Sequence, residues 1–116
     1  MITDSTTSFF DHLAAEGHQP LLNAVSGALR FDLADGPSTD HWYVRVNKGE
    51  VAVSHDDLPA DAVVRVDRGV FDAMAEGRLN AVAAFLRGEL ALEGDVGLVI
   101  SFQRLLPGPP SSRRAR

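Results

Sequence analysis

Apolar positions along this chain recur at helical spacing up to about residue 27 and then alternate with polar ones. Phe9, Phe10, Leu13 and Ala14 lie a helical turn apart behind Ser8 and Asp11, which resemble a weak capping box, and Gly17 stops the run. Pro20 opens a second segment through Leu21, Leu22 and Val25, closed by Gly27, so a broken pair of N-terminal helices is predicted. From Ala28 the period is two. Leu29, Phe31 and Leu33 alternate with Arg30 and Asp32; Trp42, Val44 and Val46 with Tyr43, Arg45 and Asn47; Val51 and Val53 with Ala52 and Ser54. Asn47-Lys48-Gly49 joins the second and third of these strands as a hairpin. Ala62, Val64 and Val66 form the dry side of a fourth strand, and Leu90 and Leu92 that of a fifth.

Helices must cover the apolar side of such a sheet. Residues 70–76 form one, capped by Asp67 and stopped by Gly77. The stretch 80–95 is the best punctuated: Asn80 caps a short helix, Gly88 ends it in a left-handed conformation, and Asp95 caps the next. Its six residues 81–86 are all apolar, which predicts enclosure on most sides. In the last helix Val96, Val99, Ile100, Phe102 and Leu106 share one side, while Leu98 and Leu105 extend the apolar arc past half the circumference. That arc is wider than a helix lying on a sheet needs. The expectation is an α+β fold: a five-stranded, mainly antiparallel sheet with one wet face and helices over the other. Residues 1–7 read as flexible, 8–106 as one domain, and 107–116 as a disordered Pro/Ser/Arg tail.

Composition narrows the functional classes. At 116 residues there is room for one core, and 45% hydrophobic with 23% charged residues is ordinary for a globular protein. Cysteine is absent, which removes disulfides, thiolate metal sites and thiol nucleophiles. The net charge is −5, but Arg113, Arg114 and Arg116 stand apart from the rest, which carries sixteen acids against eight bases. Such a body repels phosphate backbones and gives no reason to expect strong attraction to anionic membranes. Nucleic-acid binding and stable membrane insertion are therefore not expected. Met1-Ile2-Thr3-Asp4 lacks the start of a secretory leader, so the cytoplasm is the expected compartment.

Catalytic motifs are largely missing. No Gly-x-Ser-x-Gly elbow, phosphate-binding glycine loop or His-Glu-x-x-His occurs. His12 and His18 are six apart, which misses the spacing of two ligands on one helical face, so no metal site is expected. His41 and His55, with Tyr43 and Asp57, are the available acid-base groups. The glycines flanking the last helix start, Gly94 and Gly97, read as turn residues.

In order and spacing, several stretches resemble the sterol carrier protein type-two, or sterol-binding domain, family over about residues 20–108. They are Ser26-Gly27-Ala28-Leu29-Arg30-Phe31-Asp32-Leu33, the Trp42 strand, Ala60-Asp61-Ala62, and the Phe71 helix followed by Gly77-Arg78-Leu79-Asn80. The most specific runs from Ala83-Ala84-Phe85-Leu86-Arg87-Gly88 to Glu89-Leu90-Ala91-Leu92-Glu93-Gly94-Asp95, with Phe102-Gln103-Arg104-Leu105 behind it. The resemblance implies a five-stranded sheet with helices on one face and an apolar tunnel between them for acyl chains, acyl-CoA or sterols. Its wall would be Trp42, Phe71, Met74, Phe85, Leu86, Leu98 and Phe102. The leading expectation is a stand-alone, non-enzymatic binder or carrier of a hydrophobic small molecule or lipid, using no cofactor. The alternatives are a small enzyme on a hydrophobic substrate in the same pocket, with His41, His55, Tyr43 or Asp57 as acid-base groups, and an accessory domain that homodimerises or docks a partner enzyme.

Overall fold

A computed structural model describes residues 5–106. The expected tail at 107–116 lies outside them. The element order is α1 (Ser5–Glu16), a 3-10 turn at Pro20–Leu22, β1 (Ser26–Asp35), β2 (Ser38–Asn47), β3 (Glu50–Ser54), β4 (Ala62–Asp67), α2 (Arg68–Ala75), α3 (Ala81–Leu86), β5 (Leu90–Gly94) and α4 (Val96–Phe102), which runs into a 3-10 turn at Gln103–Leu105. The five strands form one mixed sheet in the order β3-β2-β1-β4-β5. Only the central β1–β4 pair is parallel; every other neighbouring pair is antiparallel. The β2–β3 hairpin turns through Lys48 (φ 50°) and Gly49 (φ 90°), the positive-φ geometry whose twist matches the flanking strands.

Three expectations are corrected. Helix α1 starts at Ser5, so residues 5–7 are helical rather than loose; Thr6 is fully buried and bonds the Asp72 carboxylate on α2 through its N–H (2.9 Å) and hydroxyl (2.5 Å). The second N-terminal helix is a single turn. Its surroundings are tied to the hairpin instead, with Gln19 N–H donating to Gly49 (2.8 Å), Val51 N–H to Gly17 (2.7 Å) and Lys48 N–H to Val25 (2.8 Å). The polar side of the sheet is not wholly wet, because residues 55–61 cross it: Tyr43 and Val63 point that way yet are buried, the Tyr43 hydroxyl donates to the Pro59 carbonyl (3.2 Å), and Arg30 donates to that of Leu58 (3.1 Å).

On the other side an aromatic stack fills the space between sheet and helices. Phe10, with no exposed surface, lies flat between Trp42 (centroids 4.6 Å apart) and Phe71 (5.4 Å). Phe31 meets Phe71 at 5.7 Å and Phe102 at 5.1 Å. The core is solid here, where α1 and α2 meet β1 and β2. Asp61 joins the far ends of the strands: its carboxylate accepts from Ala28 N–H (2.8 Å), and its carbonyl accepts from Asp95 N–H (2.8 Å). A Cβ on Gly94 would sit 2.2 Å from that carbonyl oxygen, and φ is +86°, so this crossing of β5 over the start of β4 requires glycine.

Candidate functional site

The helices do not fill the space over β4 and β5. A cavity of about 190 Å³ remains there. Phe31, Val64, Leu90 and Leu92 form its floor on the sheet, and Phe71 and Met74 of α2 line it where it borders the solid core. Ala81, Val82 and Phe85 of α3 face Val96, Val99 and Ile100 of α4 around it, and Phe102, Gln103 and Leu106 complete the wall. Gln103 is the only polar residue among these fifteen. Bound water needs several polar partners, so a wall of this kind favours an apolar occupant.

Local sequence sets this geometry. The Asn80 side chain accepts from Val82 and Ala83 N–H (2.9 and 3.1 Å), and that of Asp95 from Leu98 N–H (3.2 Å), so both short helices have fixed starts. Gly88 (φ 75°) turns the chain from α3 into β5. Helix α3 is a lip rather than an enclosed helix: Val82 is 53% exposed, Phe85 47% and Leu86 76%. With six residues there is one turn and a half of surface, and only Ala84 is fully inside. The cavity is consequently a pocket with a partly open apolar rim, not a tunnel closed along its length.

Of the seven residues expected to form the wall, the structure brings together Phe71, Met74, Phe85 and Phe102. Three lie elsewhere. Trp42 packs between Phe10 and His55 (ring centroids 4.0 Å apart) in the solid core, and its buried Nε1 has no hydrogen-bond partner. Leu98 packs toward Gly27, where a Cβ would meet its Cδ2 at 3.0 Å. Leu86 points outward. The residues missed were those of the sheet floor and the stripe Val96, Val99, Ile100 and Leu106. That stripe was visible as one side of the last helix, separate from Leu98 and Leu105; the strand residues carried no signal beyond alternation.

None of the proposed acid-base groups reaches the pocket. His41 and Asp57 belong to a charged cluster on the opposite face, centred on Asp32. Arg30 donates to both Asp32 oxygens (2.9 and 3.1 Å), His41 Nδ1 lies 2.8 Å from Oδ1, and Arg65, itself paired with Glu93, is 3.9 Å away. Asp57 flanks Arg30 (3.4 Å) and His41 (3.7 Å). Burial works to raise the Asp32 pKa, but the hydrogen bonds from Arg30 and His41 outweigh it and hold the carboxylate below its ordinary value. A depressed folded-state pKa stabilises the fold in full above the unfolded value of about 3.9, and that contribution is lost as pH falls through the lower folded value. Asp32→Asn should therefore lower the urea midpoint at neutral pH, and the gap from the parent protein should narrow below about pH 4. A gap that stays constant across that range would show that the carboxylate is not stabilised by its neighbours. An open cleft of about 610 Å³ runs beside this cluster, lined by Asp32, Thr39, Arg65, Asp67 and Glu89 together with apolar strand residues. Among the described residues no three His, Asp or Glu side chains gather as metal ligands.

With this geometry in hand, comparison with known proteins gives one consistent result. The model of the SCP-2 sterol transfer family matches residues 9–107. Human sterol carrier protein 2 is 30% identical over 104 residues, covering 87% of this chain and 19% of its own length. Hydroxysteroid dehydrogenase-like protein 2 of Xenopus laevis is 28% identical over 91 residues, covering 77% of this chain and 22% of its own. The chain thus spans about a fifth of each relative. The solved structure of sterol carrier protein 2 from Yarrowia lipolytica superposes with a TM-score of 0.71 at 19% identity, over 90% of this chain and 92% of that one.

Proposed function

Because this chain belongs to the SCP-2 sterol transfer family, we propose that its apolar pocket binds a lipid or similar hydrophobic small molecule, without chemical change, for storage or transfer. The observation that carries this reading is the pocket wall, apolar at every residue but Gln103. No residue with an acid-base or nucleophilic side chain is among those lining it, and binding without chemical change needs none. The resemblance of the chain to sterol carrier proteins supports the ligand class.

Size constrains how the ligand enters. At about 190 Å³ the pocket is smaller than the roughly 300–1,000 Å³ of most small-molecule sites. An acyl chain or ring system therefore has to push α3 outward or extend past the rim. Both are easy at this helix, whose outer side chains already face solvent. Burying about twelve methylenes contributes roughly 10 kcal/mol, from which association and ordering subtract about 4 or more. The balance, about 6 kcal/mol, corresponds to a Kd in the tens of micromolar. Since apolar contact is nearly non-directional, selectivity should be loose and follow shape.

Purified protein should carry a lipid into organic extracts identifiable by mass spectrometry, and delipidated protein should take up a fluorescent fatty acid. Failure of both would overturn the binding reading.

A further inference from the structure

Strand β5 is the last of the sheet, and among the described residues no strand pairs with its outer side. The register settles which backbone groups stand free there. Asp95 N–H donates to the Asp61 carbonyl (2.8 Å) in step with the β4–β5 ladder, and bonded positions of an antiparallel pair alternate with unbonded ones. Val63 with Glu93 and Arg65 with Ala91 are therefore the bonded pairs, and Leu90 and Leu92 turn their N–H and C=O groups to the open side. The opposite edge is occupied at its start, where Gln19 N–H donates to Gly49 (2.8 Å), Val51 N–H to Gly17 (2.7 Å), and His18 bridges to Glu50. Beside the free edge stands α3, which packs on β5 and leaves Val82 53% and Leu86 76% exposed. An unpaired strand with apolar side chains next to it is a template for another chain.

We infer that two copies of this chain join edge to edge through β5, antiparallel about a two-fold axis at Leu92, so that their sheets become one. The strand is self-complementary in that register. On the dry side Leu92 meets its own copy and Leu90 lies opposite Gly94, which leaves room for it. On the other side Ala91 lies opposite Glu93 of the second copy. Arg65 is the β4 neighbour of Ala91, half exposed and already paired with Glu93 of its own chain. Ala91 is too small to screen it, so each Arg65 also faces the other copy's Glu93. Because α3 packs on β5, the same axis brings Val82 and Leu86 toward their counterparts and covers them. Charge agrees with this occupant. Residues 1–77 carry thirteen acids and five bases, whereas residues 78–106, which supply α3, β5 and α4, carry three of each. Two copies therefore meet through a neutral part and keep their acidic parts away from each other. An unrelated extended peptide matches the backbone of the edge but brings neither the opposite charge beside Ala91 nor an apolar helix for Leu86. Pairing consumes the open edge of both copies, so assembly closes at two.

Pairing of this kind stands apart from ligand binding. Sedimentation velocity of the full chain should show conversion to a particle of twice the chain mass as concentration rises. Over the same range hydrogen exchange should slow at the Leu90 and Leu92 amides, which face solvent in a single copy, and stay unchanged at those of Ala91 and Glu93, already bonded to β4. Glu93→Lys should raise the dimer Kd by on the order of tenfold, because two cross-strand pairs, worth a few-fold each, turn into like charges. Arg65→Glu should do the same from the other side. Mixed in equal amounts, the two variants should regain the parent affinity, since each then finds opposite charge across the axis. Leu86→Asp puts a charge into the helix contact and should leave the protein monomeric. None of these three residues lines the apolar pocket, so in dilute solution each variant should take up fluorescent fatty acid as the parent does. A single-chain mass at millimolar concentration, a dimer whose Leu90 and Leu92 amides exchange as in the single copy, or one indifferent to both Glu93→Lys and Leu86→Asp would overturn the inference. Loss of fatty-acid uptake with pairing intact would instead count against the binding reading alone.

Discussion

Val99→Trp is expected to raise the Kd for a fluorescent fatty acid by on the order of 100-fold while leaving the protein folded. Val99 projects from α4 into the pocket opposite α3, with Phe31, Val64 and Leu92 on the floor beneath. The indole would occupy space that is empty rather than displace packed neighbours, so the strain of overpacking, typically about 1–3 kcal/mol, should stay at the low end. What is lost is room for three or four methylenes of the guest, about 3 kcal/mol at about 0.8 each. Titration should show the weaker binding, with far-UV circular dichroism and the thermal midpoint close to those of the parent. Unchanged uptake would place the guest outside this cavity.

The largest effect on stability is expected at Phe10, which sequence spacing assigned only to a helix. Phe10→Ala should cost about 3–5 kcal/mol, a large part of the roughly 5–15 kcal/mol that holds a domain together. The ring has no exposed surface and lies between Trp42 and Phe71, with Phe31 a further neighbour at 5.3 Å. These three aromatic side chains, and Phe9 beside the ring at 5.2 Å, would lose contacts at once, and α1 would lose a fully buried anchor on the sheet. For a chain of this size the thermal midpoint should fall by on the order of 15–30 °C. Because Phe10 lines no part of the pocket, the fraction still folded should bind ligand with the parent affinity. A fall of only a few degrees would mean that the stack contributes little.

These two residues mark how far the sequence could be read. The alternation from Leu29 to Val66 fixed which side of each strand is dry, because pleating leaves no other choice once the strands pair. The caps at Asn80 and Asp95 and the left-handed turn at Gly88 were equally legible, since each is satisfied within a few residues. The wide apolar arc of the last helix correctly implied more than a flat cover. Where chain segments compete for the same space, the pattern along the chain did not tell which residues would line the cavity. Trp42 and Leu98 were expected in a ligand wall from the family resemblance, by position in the motif order, but α1 and Gly27 pack against them. Leu86 was expected inside because six apolar residues precede Arg87, yet nothing in the sequence says that no element lies over that side of α3.

Sequence alone therefore determined the strands, their dry faces, most helix ends and the family, all of which rest on interactions between near neighbours or on motif order. Only the tertiary structure decided that the stack around Phe10 fills one half of the interior and that α3 and α4 leave the other half open. Whether apolar surface becomes core or cavity depends on which distant segments arrive opposite it, and at what separation. Periodicity along the chain carries no information about that distance.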